Sequence, residues 1–110
     1  SSVEVAVNFG YWRKANQIHK WFVDNAQNGV DDCRETYVER RLMEKLRDLC
    51  SKALETRDAN LFPPQPGFFF GPTDIDEYYW DDVEYTRNLM DKLLSDGKLR
   101  YFEFYYQSSW

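Results

Sequence analysis

The spacing of apolar residues changes once within the first quarter of the chain. Residues 3–9 carry a valine or phenylalanine at every second position, which predicts a half-buried β-strand. Gly10 ends this alternation. From Tyr11 to Ala26 the apolar residues recur at three- and four-residue spacing, which predicts a first helix that the Asn28-Gly29 pair terminates.

Two further helices are predicted in the middle of the chain. Thr36 and Glu39 have the spacing of a capping box at the start of the second helix. The apolar stripe of this helix consists of Val38, Leu42, Leu46, Leu49 and Ala53, with Met43 and Cys50 beside it. Thr73 and Asp76 predict a capping box for the third helix. The stripe of the third helix consists of Ile75, Tyr79, Val83, Thr86, Met90 and Leu93.

The C-terminal segment predicts a second strand. From Leu99 to Tyr106 the aromatic side chains fall on both faces, a pattern typical of a strand that is covered on both sides. The predicted order of elements is therefore β-α-α-α-β. We expect a small α+β domain over residues 1–110, in which the terminal strands pair and pack against three helices.

Charge and composition narrow the function classes. The net charge is −5 at pH 7, so we expect no direct binding of nucleic acid, which requires a basic face. No apolar run approaches the ~20 residues of a membrane span, and no secretory leader is recognisable. We therefore expect a cytoplasmic protein away from membranes, with reduced thiols at Cys33 and Cys50. No metal or cofactor motif is present, and none is predicted to be bound.

A run of three phenylalanines marks the loop before the third helix. Phe68, Phe69 and Phe70 lie between two glycines and among the four prolines of the chain. Neither a helical nor a strand period buries three consecutive rings on one face. We predict that at least one ring forms the wall of a ligand site. A small hydrophobic cluster that pins the loop, or a short third strand, is the alternative.

The start of the first helix carries candidate anion ligands. Arg13 and Lys14 lie where free backbone N–H groups of a helix favour an anion, although a solvated face would also place them here. Asn16 could read the polar edge of a ligand. His19 is the single histidine, and a structural role for it is the alternative to ligand binding. No catalytic constellation is recognisable, which favours binding over catalysis.

Acidic residues are concentrated at the start of the third helix. Their number exceeds what helix capping requires, which suggests a docking surface for a basic protein, with a solvated face as the alternative. The acids are Asp74, Asp76, Glu77, Asp81, Asp82 and Glu84, and the neighbouring Tyr79 and Trp80 would be aromatic anchors.

Several long strings resemble a family of uncharacterised small proteins encoded by bacteriophages and prophages. They are YWRKANQIHKWFV at 11–23, GVDDC at 29–33, PPQPGFFFG at 63–71, DEYYWDDVEYT at 76–86 and YYQSSW at 105–110. The resemblance covers nearly the whole chain. It implies an accessory protein that acts in the cytoplasm of an infected bacterium.

Two functions follow from these patterns. The first is counter-defence by sequestering a small, nucleotide-like host signal in an aromatic and basic pocket. The predicted ligand-binding residues are Trp12, Arg13, Lys14, Asn16, His19, Phe68, Phe69, Phe70, Tyr105, Tyr106, Gln107 and Trp110. The second is inhibition of a host defence protein by the acidic surface, in the manner of an anti-CRISPR or a nucleic-acid mimic. Self-association into a homo-oligomer is compatible with both.

Overall fold

The computed structural model describes residues 3–65 and 74–108. In that part of the chain three helices accompany a two-stranded antiparallel sheet, so the predicted small α+β fold is confirmed. The elements are α1 (Asn16–Ala26), β1 (Thr36–Val38), α2 (Arg40–Thr56), α3 (Glu77–Ser95) and β2 (Phe104–Tyr106), with 3-10 turns at Ala59–Leu61 and Gly97–Leu99.

The core lies mainly between α2 and α3, which form the largest interface between two elements. The predicted stripes face inward: Leu46 and Ala53 of α2 and Val83 of α3 have no exposed surface. Burial of a large apolar side chain contributes about 1.5–3 kcal/mol, so this interface supplies much of the stability. Phe22 and Ile18 of α1 extend the same core.

The caps of the two long helices differ. The carboxylate of Asp76 accepts a hydrogen bond from the backbone N–H of Tyr79 at 3.1 Å and caps α3, while Thr73 lies outside the described residues. At α2 the predicted capping box is wrong. Thr36 belongs to β1, where its hydroxyl accepts a hydrogen bond from the Gln27 side chain at 3.1 Å. Glu39 is the N-cap residue, and no side chain caps the helix.

The sheet pairs different segments from those predicted. β1 runs antiparallel to β2, with Tyr37 opposite Tyr105. Residues 3–9 form no strand, and Val3 and Val5 are 87% and 81% exposed. In the described part of the chain the sheet contains only β1 and β2, and the alternating valines pair with neither and stay exposed. The order is α-β-α-α-β.

The first helix begins later than predicted, at Asn16. Lys14 has a φ of 56°, in the left-handed region, which interrupts any helix that would start at Tyr11. The segment before it crosses α3 instead. The backbone N–H of Tyr11 donates to the Tyr85 hydroxyl at 3.0 Å. A Cβ on Gly10 would lie 2.2 Å from Cδ2 of Leu89, so a larger residue at this crossing would require the Leu89 side chain to shift.

The second predicted strand is shorter than expected and is covered on one face only. Leu99 ends a 3-10 turn, and regular pairing begins at Phe104. Phe104 is buried, whereas Tyr101 and Tyr105 are 86% and 53% exposed. The expectation that both faces are covered is therefore wrong. A short third strand at Phe68–Phe70 falls outside the described residues.

Candidate functional site

A cavity of about 480 Å³ lies between the start of α2 and the segment that leads into β2. We call it the arginine cavity, and it is lined by residues 37–41 together with Arg100, Tyr101, Phe102 and Phe104. Its volume lies in the lower half of the range of ~300–1,000 Å³ that is usual for small-molecule sites. Residues about 60 positions apart in the chain form its two sides, and the β1–β2 pairing brings them together.

Three guanidinium groups line the arginine cavity. Arg40 donates a hydrogen bond to the carbonyl of Leu99, and its guanidinium carbon lies 5.2 Å from the centre of the Phe104 ring. Arg100 lies 5.0 Å from the centre of the Tyr101 ring. Within residues 3–65 and 74–108, neither of these arginines nor Arg41 forms an ion pair. Their charge is thus available to an anion.

The backbone at the start of α2 adds to this positive potential. The N–H groups of Leu42 and Met43 donate to the carbonyl of Glu39, whereas those of Arg40 and Arg41 have no partner within the helix. No side chain caps this end, and the first turn contains no acidic residue. A helix N-terminus favours a negative charge through its dipole and its free N–H groups. Among the described residues, Glu39 is the one acid that lines the arginine cavity, and its charge opposes this effect.

Aromatic rings form the walls of the arginine cavity. Tyr37, Tyr101 and Phe102 all line it and are all exposed. Phe102 also meets the ring of Phe9 edge-on, with 5.7 Å between the ring centres, so the segment before α1 supports this wall. Exposed rings beside unpaired guanidinium groups can stack on a flat ligand while the arginines hold its anionic group.

A second cavity of about 430 Å³ adjoins the first. We call it the lysine cavity. Tyr37, Glu39 and Arg41 line both cavities, and the other lining residues of the second are Asn25, Ala26, Leu42 and Lys45. Lys45 does not line the arginine cavity. The lysine cavity therefore lies between the end of α1 and the first two turns of α2.

The predicted ligand-binding residues Trp12, His19 and Tyr106 come together, but they form a packed cluster with Phe22. Tyr106 stacks on Phe22 with 4.0 Å between ring centres, and Trp12 meets Phe22 edge-on at 5.7 Å. The indole N–H of Trp12 donates to the Thr86 hydroxyl at 2.8 Å. Trp12 also lies 6.1 Å from Tyr106. None of these rings lines the arginine cavity or the lysine cavity.

His19 connects this cluster to the carboxylate of Asp31 by hydrogen bonds. Its Nδ1 lies 2.5 Å from the Tyr106 hydroxyl and its Nε2 lies 3.0 Å from Oδ1 of Asp31. Burial, and then the charges of Asp31 and Cys33, raise the pKa of Tyr106 above its usual value, so its hydroxyl remains protonated beside the imidazole. This geometry supports the structural alternative for His19.

The remaining predicted residues lie apart from one another. Arg13 and Lys14 are exposed, and Tyr105 is on the outer face of the sheet beside Tyr37. The buried Asn16 accepts a hydrogen bond from the backbone N–H of Gln65 at 3.2 Å, which holds the entry of the phenylalanine loop near α1. The side chain of Gln107 donates to the carbonyl of Cys33. The ring positions of Phe68, Phe69, Phe70 and Trp110 fall outside the described residues.

The predicted acidic surface is largely solvated. Of its carboxylates, those of Asp74, Asp76, Glu77, Asp81 and Glu84 belong to exposed residues. Burial, followed by the charges of Asp81 and Asp76, raises the pKa of Asp82 from its usual 3.8 to about 6. Tyr79 is buried, and its hydroxyl donates to the carbonyl of Phe62 at 2.6 Å, so this ring is no surface anchor. Trp80 is half-buried beneath Arg57, whose guanidinium carbon lies 4.9 Å from the ring centre.

The described cysteine, histidine and acidic side chains do not suggest a metal centre. Over the described part of the chain, no three His, Cys, Asp or Glu side chains are grouped so that they could hold a metal ion. Cys33 and Cys50 are free thiols, and burial raises the pKa of Cys50 to about 12. No helix in residues 3–65 and 74–108 combines the length and the apolar character needed to cross a bilayer.

The sequence did not point to the residues of the arginine cavity. Arg40 and Arg41 were placed in the second turn of a helix that was expected to start near Thr36, where they would carry no special meaning. With the helix starting at Arg40, they occupy its first turn, where cations attract notice because they oppose the dipole. Arg100 and Tyr101 lie inside the predicted strand, where the pattern assigns only Tyr101 to a covered face.

Comparison of the chain with protein-family models, curated proteins and solved structures finds no match.

Proposed function

We propose that this protein acts by binding rather than by catalysis and that it holds a small, flat, anionic ligand such as a nucleotide in the arginine cavity. The observation that carries the proposal is the placement of three arginines, none of which forms an ion pair with a described residue, beside exposed aromatic rings.

The chemistry of the cavity suits a nucleotide. A phosphate would lie against the first turn of α2, where it accepts hydrogen bonds from free backbone N–H groups and from the guanidinium of Arg41. A base would stack on Tyr101 or Phe102, and stacking of a base on an aromatic ring contributes about 1–3 kcal/mol. Arg100 lies above the Tyr101 ring, where it can contact either part of the ligand.

The resemblance to small bacteriophage and prophage proteins supplies the biological setting of the proposal. The protein would act in the cytoplasm of an infected bacterium and would lower the concentration of a nucleotide-like host signal by sequestering it. A binder without catalytic turnover must be made in at least the same amount as its ligand. Its small size suits that requirement.

Titration calorimetry with adenosine monophosphate tests the binding site. We expect Arg100→Ala to weaken binding roughly 10-fold or more, since a hydrogen bond to a charged group contributes about 1.5–3 kcal/mol. Tyr101→Ala should weaken it by a similar factor, since stacking of a base on an aromatic ring contributes about 1–3 kcal/mol. Arg13→Ala is the matched control, because Arg13 is an exposed arginine outside both cavities. If Arg13→Ala abolishes binding and Arg100→Ala does not, the ligand site lies at the start of α1.

The docking function has one observation in its favour. The raised pKa of Asp82 results in part from Asp81 and Asp76, so like charges crowd the start of α3, and a basic host protein would relieve their repulsion. The exposed ring of Tyr78 lies on the same end of the helix. In an assay of phage growth on a defended host, the double variant Asp81→Lys with Glu84→Lys should remove activity if docking is the function. Arg100→Ala should remove it if ligand binding is.

A further inference from the structure

The arginine cavity and the lysine cavity are neighbours with shared walls. Both cavities are lined by Tyr37, Glu39 and Arg41, so these three residues form the boundary between them. Their volumes are similar, about 480 Å³ and 430 Å³. Because each lies in the lower half of the range for small-molecule sites, each suits one compact unit of a ligand.

Positive charge continues from one cavity into the other. Arg41 and Lys45 are four residues apart on α2, a spacing that places their Cβ atoms about 5–6 Å from each other. Arg41 lines both cavities, and Lys45 lines the second. Neither forms an ion pair with any described residue. A ligand with two linked anionic groups would therefore meet a cation in each cavity.

The apolar surfaces are also duplicated. In the arginine cavity, Tyr101 and Phe102 provide a wall for one flat group. In the lysine cavity, Leu42 and Ala26 provide apolar lining in addition to Tyr37. Tyr37 is 52% exposed, and one of its ring faces can be covered by a second flat group.

We propose that the ligand is a dinucleotide whose two phosphate-bearing units occupy the arginine cavity and the lysine cavity on either side of Tyr37. This inference rests on the proposed function, since it assigns one unit to the site already described. Two units match the two adjoining cavities, each of which is lined by a cation that forms no ion pair with a described residue.

Calorimetry with two probes tests the inference. Adenosine monophosphate should occupy one cavity, and the linear, 5′-phosphorylated adenylyl dinucleotide should occupy both and bind at least 10-fold more tightly. The additional phosphate should also steepen the dependence of log affinity on log salt concentration by about 0.7. An oligoadenylate of ten units should bind less than about threefold more tightly than the dinucleotide, after correction for the larger number of positions at which the longer strand can occupy the site.

Lys45→Gln identifies the second cavity. It should reduce the affinity for the dinucleotide to that for the mononucleotide and should leave the mononucleotide unaffected, because Lys45 lies outside the arginine cavity. Lys52→Gln is the matched control, as Lys52 is exposed on the same helix and lines neither cavity. Arg100→Ala should weaken both probes.

The outcomes separate the two proposals. If wild-type protein binds neither probe, the proposed function and this inference are both overturned. If the mononucleotide binds and depends on Arg100, but the dinucleotide binds no more tightly or is insensitive to Lys45→Gln, only the inference is overturned. A further tenfold gain with the ten-unit oligoadenylate would also overturn it, because the site would then follow a single strand.

Discussion

The hydroxyl oxygen of Tyr106 lies 2.5 Å from Nδ1 of His19, and this hydrogen bond joins the C-terminal strand to the first helix. On the other side of the imidazole, Nε2 meets the carboxylate of Asp31 at 3.0 Å. The hydrogen bonds among Tyr106, His19 and Asp31 therefore connect β2, α1 and the loop that follows α1. Since β2 also forms one side of the arginine cavity, this fastening supports the position of the candidate site.

Tyr106→Phe tests the strength of that connection. The variant keeps the ring stacked on Phe22 and removes only the hydroxyl, so we expect the free energy of unfolding to fall by about 1–3 kcal/mol. Tyr105→Phe is the matched control, since its hydroxyl donates to Glu103 at the exposed surface. Urea denaturation measures both. A loss of less than about 0.5 kcal/mol for Tyr106→Phe would show that the hydrogen bond contributes little.

Leu46→Ala tests the α2–α3 core. Leu46 has no exposed surface and lies in the middle of the α2 stripe, so truncation should cost about 2–5 kcal/mol in the free energy of unfolding. Lys52→Ala, at an exposed position on the same helix, should change stability by less than about 0.5 kcal/mol. Equal effects of the two variants in a denaturation series would contradict the assigned packing face.

The stripes of α2 and α3 could be predicted because helical spacing repeats over many residues. Of the stripe assigned to α2, Leu46 and Ala53 are buried, Leu42 and Leu49 are half-buried, and Val38 belongs to β1, while Met43 and Cys50, placed beside the stripe, are buried. Five of the six residues assigned to α3 are buried. The exception, Ile75, precedes the helix and is 47% exposed. A pattern of four or five turns carries enough repeats to fix the buried face, although it does not fix the first residue of the helix.

The sheet could not be predicted from the same kind of pattern. β1 contains only Thr36–Val38, and three residues offer too few positions for an alternation to be recognised. Residues 3–9 show a full alternation, but a strand also needs a partner, and partners are not encoded locally. The arginine cavity was missed for the same reason, because the pairing of Val38 with Phe104 creates it.

The acidic end of α3 should make stability depend on pH. Burial raises the pKa of Asp82 in the folded protein to about 6 from its usual 3.8, so folding favours the protonated form. The stabilising contribution is complete below about pH 4 and is lost as the pH rises through about 6. Asp82→Asn should therefore raise the melting temperature at pH 7.5, and this gain should shrink towards zero at pH 4.

Asp91→Asn is the control for that experiment, because it makes the same change of charge at an exposed position on the same helix. It should alter the melting temperature little across the pH range. If Asp82→Asn lowers the melting temperature at pH 7.5, the Asp82 carboxylate has a favourable partner in the folded protein, and the assignment of its raised pKa to burial and repulsion is wrong.

Glu39→Gln tests the arginine cavity with a change that should strengthen ligand binding. Glu39 is the one acidic residue that lines this cavity, and its side chain caps no helical N–H group. Removing its charge should strengthen the binding of adenosine monophosphate roughly fivefold at low salt, equivalent to about 1 kcal/mol. The gain in affinity should fall at 0.15 M salt, because the Debye length shortens from ~30 Å at 0.01 M to ~8 Å.

The free energy of unfolding of Glu39→Gln should drop slightly, by about 0.3–1 kcal/mol, since an acid near the start of a helix interacts favourably with its dipole. Glu44→Gln, an exposed change on α2 outside both cavities, should leave the affinity unchanged. A weaker complex with Glu39→Gln would mean that the carboxylate accepts a hydrogen bond from the ligand, and the anionic group would then have to lie farther along the cavity, towards Arg100.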